Sequence, residues 1–204
     1  PRNGSPVSSA EEAPGLSLVI LTPRDDVAVH APDPLCTEPL VTSGTPHLHA
    51  GVVEATGVVG PLVLPGETGC AGCLDQDRTD RDPVWPRLVA QWRSGRARRV
   101  GACDVTLATA VAGLAAAHAL AFLDGGSPSA TGTRWEASLP GLNWHSRPVW
   151  PHPACACGAA GRGEGEHSSG EGRARATMAV QGPRTERRRE TGAARPTGTW
   201  RAHV

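Results

Sequence analysis

Two close pairs of cysteines are the residues of this chain best suited to chemistry: Cys70 and Cys73 in GETGCAGC, and Cys155 and Cys157 in HPACACG. A tetrahedral zinc ion accepts four thiolates, and a close pair fixes two of them on one tight turn. The fold must then carry the second pair back to the first. Six cysteines in 204 residues, with no basic-then-apolar export signal at the start, favour metal binding over a disulfide framework. Free thiols or a redox pair are the plainer alternatives. A zinc ion with four cysteine ligands has no position left for water, which counts against a zinc-dependent hydrolase or deaminase.

Other residues invite a role and have a plainer reading beside it. His47 and His49 alternate on one predicted strand, so they face one side, with Glu54 nearby as a partner for metal or acid/base work; buried histidines bonded to backbone are the commoner outcome. Cys36 and Cys103 have the chemistry of nucleophiles, Cys103 near a helix N-terminus, yet small buried packing residues are the expectation. The RSGRARR run from Arg93 to Arg99 is a basic patch that would grip an acidic peptide or a phosphate, or lie solvated in a loop. Trp85 and Trp92, seven apart, share a helix face and would either staple their segment to the core or sit in a partner interface, with burial the expectation. Asp77, Arg78, Asp80, Arg81 and Asp82 are expected to pair among themselves in solvent.

The elements that must position these residues read as α/β. Residues 1–14 form a lead-in poor in apolar side chains, and residues 159–204, rich in Gly, Arg, Glu and Ser, form a tail without periodicity. Between them, in 15–158, Leu16 to Leu21 is a short apolar run with the pattern of a strand buried on both faces, and Pro46 to Val53 is a second strand. A short helix around Pro34 to Val41 would cross between them. Val58 to Leu64 is a third strand, with Gly60-Pro61 a bend or edge position. Asp75 to Arg99 reads as a charged excursion with a helical turn or two near Trp85 to Trp92. Cys103 to Leu123 is the clearest helix, with Asp104 at its start and Asp124-Gly125-Gly126 at its end. Being apolar almost all round, it is expected to be buried on several sides. Thr133 to Leu139 and Asn143 to Trp150 form a hairpin about Pro140-Gly141.

Charge is balanced overall, with 20 Arg and no Lys against 20 Asp and Glu, so a nucleic-acid binder with a wholly basic surface is not indicated. The longest apolar run, Val105 to Leu123, is interrupted by Thr, Gly and His, and no membrane span is expected. A cytoplasmic protein is the expectation. The opening Pro1, with Met178 the sole methionine, reads as part of something longer.

These residues carry a resemblance. GVVEATGVVGPLVLPGETGCAGCLDQDRTDRDP, then ACDVTLATAVAGLAAAHALAFLDG, then HPACACG resemble the C-terminal half of the ThiF/MoeB/HesA family, adenylyltransferases related to ubiquitin-activating enzymes, over about Leu16 to Gly158. The resemblance implies an α/β fold, the C-terminal part of a Rossmann-like ThiF domain, with a structural zinc on Cys70, Cys73, Cys155 and Cys157. The RTDRDP.WPR and closing HP.C.CG patterns are most similar to the ThiF-like proteins that accompany YcaO enzymes in making azole-containing ribosomal peptides. In that setting the resemblance implies a partner that binds the leader of a precursor peptide for a YcaO-type enzyme without adenylating anything itself. The alternative is a truncated ATP-dependent adenylyltransferase that activates the C-terminal carboxylate of a ubiquitin-like or sulfur-carrier protein, with ATP and Mg²⁺ bound largely by an N-terminal half. Family members are commonly homodimers. Adenylating members carry a Gly-x-Gly-x-x-Gly loop, which these 204 residues lack, and an Asp in a TDN turn after the strand that matches Leu18 to Leu21. Here the turn reads Thr22-Pro23-Arg24-Asp25-Asp26, so Asp25 would reach Mg²⁺ only if the turn shifted by two residues.

Overall fold

The computed structural model describes residues 15–23, 26–94 and 103–161, all within the compact unit Pro1–Ser168. The expected lead-in, most of the expected tail, Asp25 and the RSGRARR run beyond Ser94 lie outside the described residues. The α/β expectation holds. Strand β1 (Val19–Leu21) is joined to β2 (His47–Val53) through two helices, α1 (Asp26–His30) and α2 (Pro34–Thr42), and the two strands pair in parallel. Helix α2 begins where Asp33 caps it, its carboxylate accepting from Leu35 N at 3.1 Å, with Pro34 at the first helical position. The remaining strands, β3 (Thr56–Val63), β4 (Thr133–Ser138) and β5 (His145–Pro148), follow antiparallel, giving the order β1-β2-β3-β4-β5.

One strand expectation is corrected, and another is resolved in favour of a bend. β1 is at the sheet's edge, paired among the described residues only with β2, so Ile20 is 45% exposed and the strand is not covered on both faces. β3 is central, so Gly60-Pro61 is not an edge. Leu48 pairs with Leu62 and Ala50 with Val59, which leaves His49 opposite both Gly60 and Pro61. This bulge absorbs the proline, which has no N–H to give to the ladder.

Three further helices complete the unit: α3 (Ala71–Arg81), α4 (Trp85–Arg93) and α5 (Val105–Leu123). Helix α3 replaces part of the expected charged excursion. Helix α5 starts at Asp104, whose carboxylate accepts from Thr106 N and Leu107 N at 2.8 and 3.0 Å. Its residues Leu107, Val111, Ala115 and Ala119, four apart, lie against Leu48, Ala50, Val59 and Leu62 of β2 and β3. Only that stripe is buried. Val105, Leu120 and Leu123 are 76%, 60% and 53% exposed, so the expectation of burial on several sides is corrected. By length and composition α5 is apolar enough to cross a membrane, despite its interruptions, and here one face of it packs on the sheet.

Alternation along β2 then decides what lies on the other face. Leu48 and Ala50 point toward α5, so His47, His49 and Gly51 point to the side covered by α1.

Candidate metal centre

Helix α3 begins at the first cysteine pair. Cys70 is its N-cap, in extended conformation, and Cys73 sits in the first turn. Positions i and i+3 share one helix face, so both sulfurs point the same way, at the end of the helix whose dipole favours negative charge. The second pair follows β5. Val149 N donates to Gly132 O at 2.8 Å, and Cys155 N closes a turn onto His152 O at 3.0 Å. Gly69 and Gly72 permit the approach. A Cβ at Gly69 would lie 2.4 Å from Val149 O, and one at Gly72 would lie 2.9 Å from Cys155 Sγ.

The four sulfurs all lie within 4.8 Å of one another. Cys70 to Cys73 is 3.9 Å, Cys70 to Cys155 is 3.6 Å and Cys73 to Cys157 is 3.5 Å. Zinc–sulfur bonds of about 2.3 Å in a tetrahedron put neighbouring sulfurs about 3.8 Å apart, so these residues fit a tetrahedral ion. The surroundings are apolar: Cys70 and Cys73 are buried with Val63, and Val41 packs beside them. The hydrogen bond from Cys70, and then the backbone amide of His152, hold the Cys73 thiol down at about 4 against the pull of burial. Cys70 is pushed up, first by giving that bond and then by burial, and burial raises Cys155 to about 11.

Cys36 and Cys103 stay apart from this cluster, and both are exposed, which corrects the expectation that they are buried packing residues. His47 and His49 do face one side, rings 5.6 Å apart and nearly perpendicular. His47 Nδ1 bonds to Thr45 O at 3.0 Å, while both Nε2 atoms are buried without a hydrogen-bond partner. Burial lowers both pKa values. For His49, with the charges of His47 and Arg134 adding to burial, the value is about 3. His49 lines a small cavity with Pro23, Ala28 and Val29. Glu54 is away from them, in the turn between β2 and β3 with φ +52°.

Several residues that sequence reasoning passed over matter here. Arg134, 3% exposed, donates from Nε to Glu136 at 2.6 Å and from both terminal nitrogens to Val29 O at 3.3 Å. Burial pushes the Glu136 carboxyl up, but the bond and charge of Arg134 outweigh it and hold that group below its usual range. Arg78 and Asp80 do not pair within the charge run as expected but find partners outside it, Asp80 while remaining in solvent. Arg78 donates to His30 O at 2.9 Å, and Asp80 lies 2.9 Å from His152 Nε2. Asp77 and Arg81 do pair in solvent, as expected. Trp85 is buried as expected of a staple, while Trp92 is 38% exposed, which corrects its expected burial; their rings meet edge-on at 6.0 Å and both meet His30.

Comparison with known proteins bears on what this arrangement belongs to. The sequence profile of the ThiF family matches residues 10–159. No curated protein matches the chain. Among solved structures, E. coli MccB with ATP superposes with a TM-score of 0.51 at 20% identity, over 70% of this chain and 39% of that one. E. coli MccB with AMPCPP and MccA gives 0.51 at 20% identity, over 69% and 39%. A heterocyclase in complex with substrate and cofactor gives 0.52 at 18% identity, over 71% of this chain and 21% of that one. The likeness at these identities is one of fold, and this chain spans well under half the length of each of those proteins.

Proposed function

The chain belongs to the ThiF family, and from that premise we propose that it is a ThiF-like partner protein that binds a precursor peptide for a YcaO-type modifying enzyme and does not itself adenylate. The observation that carries the reading is Pro23. It follows β1 where the resemblance places the Mg²⁺-binding aspartate of adenylating members, and a proline ring offers no oxygen to a metal. The likeness in fold to MccB, solved with MccA, and to a heterocyclase solved with its substrate supports a role in peptide modification.

Zinc on Cys70, Cys73, Cys155 and Cys157 has a structural part in this reading. Four thiolates complete the ion's coordination, so it holds the end of the β4–β5 hairpin against the start of α3 and contributes folding energy.

Two measurements on the purified chain test the function. Fluorescence anisotropy with a labelled precursor peptide encoded beside the gene is expected to give saturable binding that disappears when the leader is removed. ATP–pyrophosphate exchange is expected to stay at background with and without that peptide. Exchange above background would overturn the proposal and favour the adenylyltransferase alternative, and binding that ignores the leader would overturn the assignment of the partner.

A further inference from the structure

We propose that α3 couples the cysteine centre to the seating of α1, with Arg78 as the positioning residue that carries the coupling. The inference rests on reading the four cysteines as a zinc centre.

Helix α1 is too short to be stable alone at five residues. Its last two carbonyls, and that of Ala31 just after it, are held from outside by three arginines on three elements. Arg134 of β4 takes Val29 O, Arg78 of α3 takes His30 O, and Arg93 of α4 takes Ala31 O at 3.3 Å. A guanidinium at a helix C-terminus meets the negative end of the dipole and satisfies carbonyls that the helix leaves free.

Of the three, only Arg78 stands on the element that begins at the thiolates. Cys70 and Cys73 form the first turn of α3, and Arg78 follows five residues after Cys73, about 7.5 Å along the axis. The same helix is braced at two more points. Arg78 lies 4.8 Å over the Trp85 ring, and Trp85 Nε1 donates to Asp75 at 2.9 Å. Near its end Asp80 meets His152, on the approach to the second cysteine pair. A helix moves as a unit, so a displacement of about 1 Å at the thiolates reaches Arg78 and stretches a 2.9 Å bond beyond hydrogen-bonding length. Zinc bound to both cysteine pairs fixes the starting end of this lever. Removing zinc frees that end, and α1 loses one of its three clamps. Ala28 and Val29 of α1 also wall the small cavity beside His49.

The test is hydrogen exchange by mass spectrometry on the full chain, loaded with zinc and then stripped with a chelator, for wild type, Arg78→Ala and Arg78→Lys. In wild type, chelation is expected to speed exchange in the peptide covering α1 about tenfold while α5 changes less than about twofold. In Arg78→Ala, with zinc content unchanged, α1 is expected to exchange fast from the start and to respond to chelation by less than about twofold. Arg78→Lys is expected to retain part of the response, since an ammonium reaches the carbonyl but does not match the planar stacking on Trp85. An α1 that ignores chelation overturns the coupling, as does a rise in α5 equal to that in α1, or an Arg78→Ala chain that responds like wild type. A chain that takes up no zinc overturns the metal reading itself, and the coupling with it.

Discussion

Gly72→Ala is the most local probe of the cysteine centre, because the added methyl meets Cys155 Sγ at 2.9 Å while leaving every thiol in place. Zinc affinity measured by chelator competition is expected to fall by about tenfold or more, as it does when groups that support metal ligands are displaced. Cys70→Ser with Cys155→Ser is expected to abolish zinc uptake in elemental analysis, whereas Cys36→Ser with Cys103→Ser, both exposed and outside the cluster, is expected to leave it unchanged. The buried imidazoles make a separate prediction. His47 and His49 titrate in the folded chain below the ordinary 6.5, so as pH falls the unfolded chain takes up protons first. Their contribution to stability is therefore complete above about pH 6.5 and declines below it, by about 1.4 kcal/mol per pH unit for each ring until its folded value is reached. Urea melts at a series of pH values between 7.5 and 5 would measure the slope. His49→Leu is expected to flatten it by about one proton, and an unchanged slope would count against the assignment.

Elements were legible in the sequence where one physical signal dominated. Asp104 and the Asp-Gly-Gly after Leu123 bracketed α5 because capping and termination are local effects. The hairpin of β4 and β5 followed from alternation about Pro140-Gly141, and the cysteine pairs announced their shared centre through ligand chemistry. Helix α3 was not legible, because its eleven residues are mostly polar or charged and carry no apolar stripe; what fixes it is Cys70 at its start and Arg78 reaching a carbonyl on α1. Arg134 was missed for a similar reason. An arginine in a strand reads as a solvent-facing residue, and only the fold reveals Glu136 and the Val29 carbonyl waiting for it. The outer face of α5 erred in the opposite direction, since composition gives the apolar content of a helix and not which of its faces find a neighbour. The inner stripe does carry the main core, so Leu107→Ala, at a fully buried position, is expected to destabilise the chain by about 2–5 kcal/mol in denaturant melts. Leu120→Ala, on the exposed side, is expected to change stability by about 0.5 kcal/mol or less.

At the scale of the whole molecule, the sheet is what allows distant residues to meet. The β1-to-β2 crossover sets His49 beneath α1, and the return through β3, β4 and β5 brings the last cysteines back to the first. Cys70 and Cys155 are 85 positions apart, and between them lie α3, α4, α5 and the hairpin. That separation has a temporal meaning during synthesis. At about 5–20 residues per second, the first cysteine pair leaves the ribosome several seconds before the second exists. On the proposed zinc reading, the nascent chain over that interval offers two of the four thiolates, and full coordination waits for Cys157. On that reading ion capture follows translation through Cys157, and a chain that stops between the pairs offers the metal only Cys70 and Cys73.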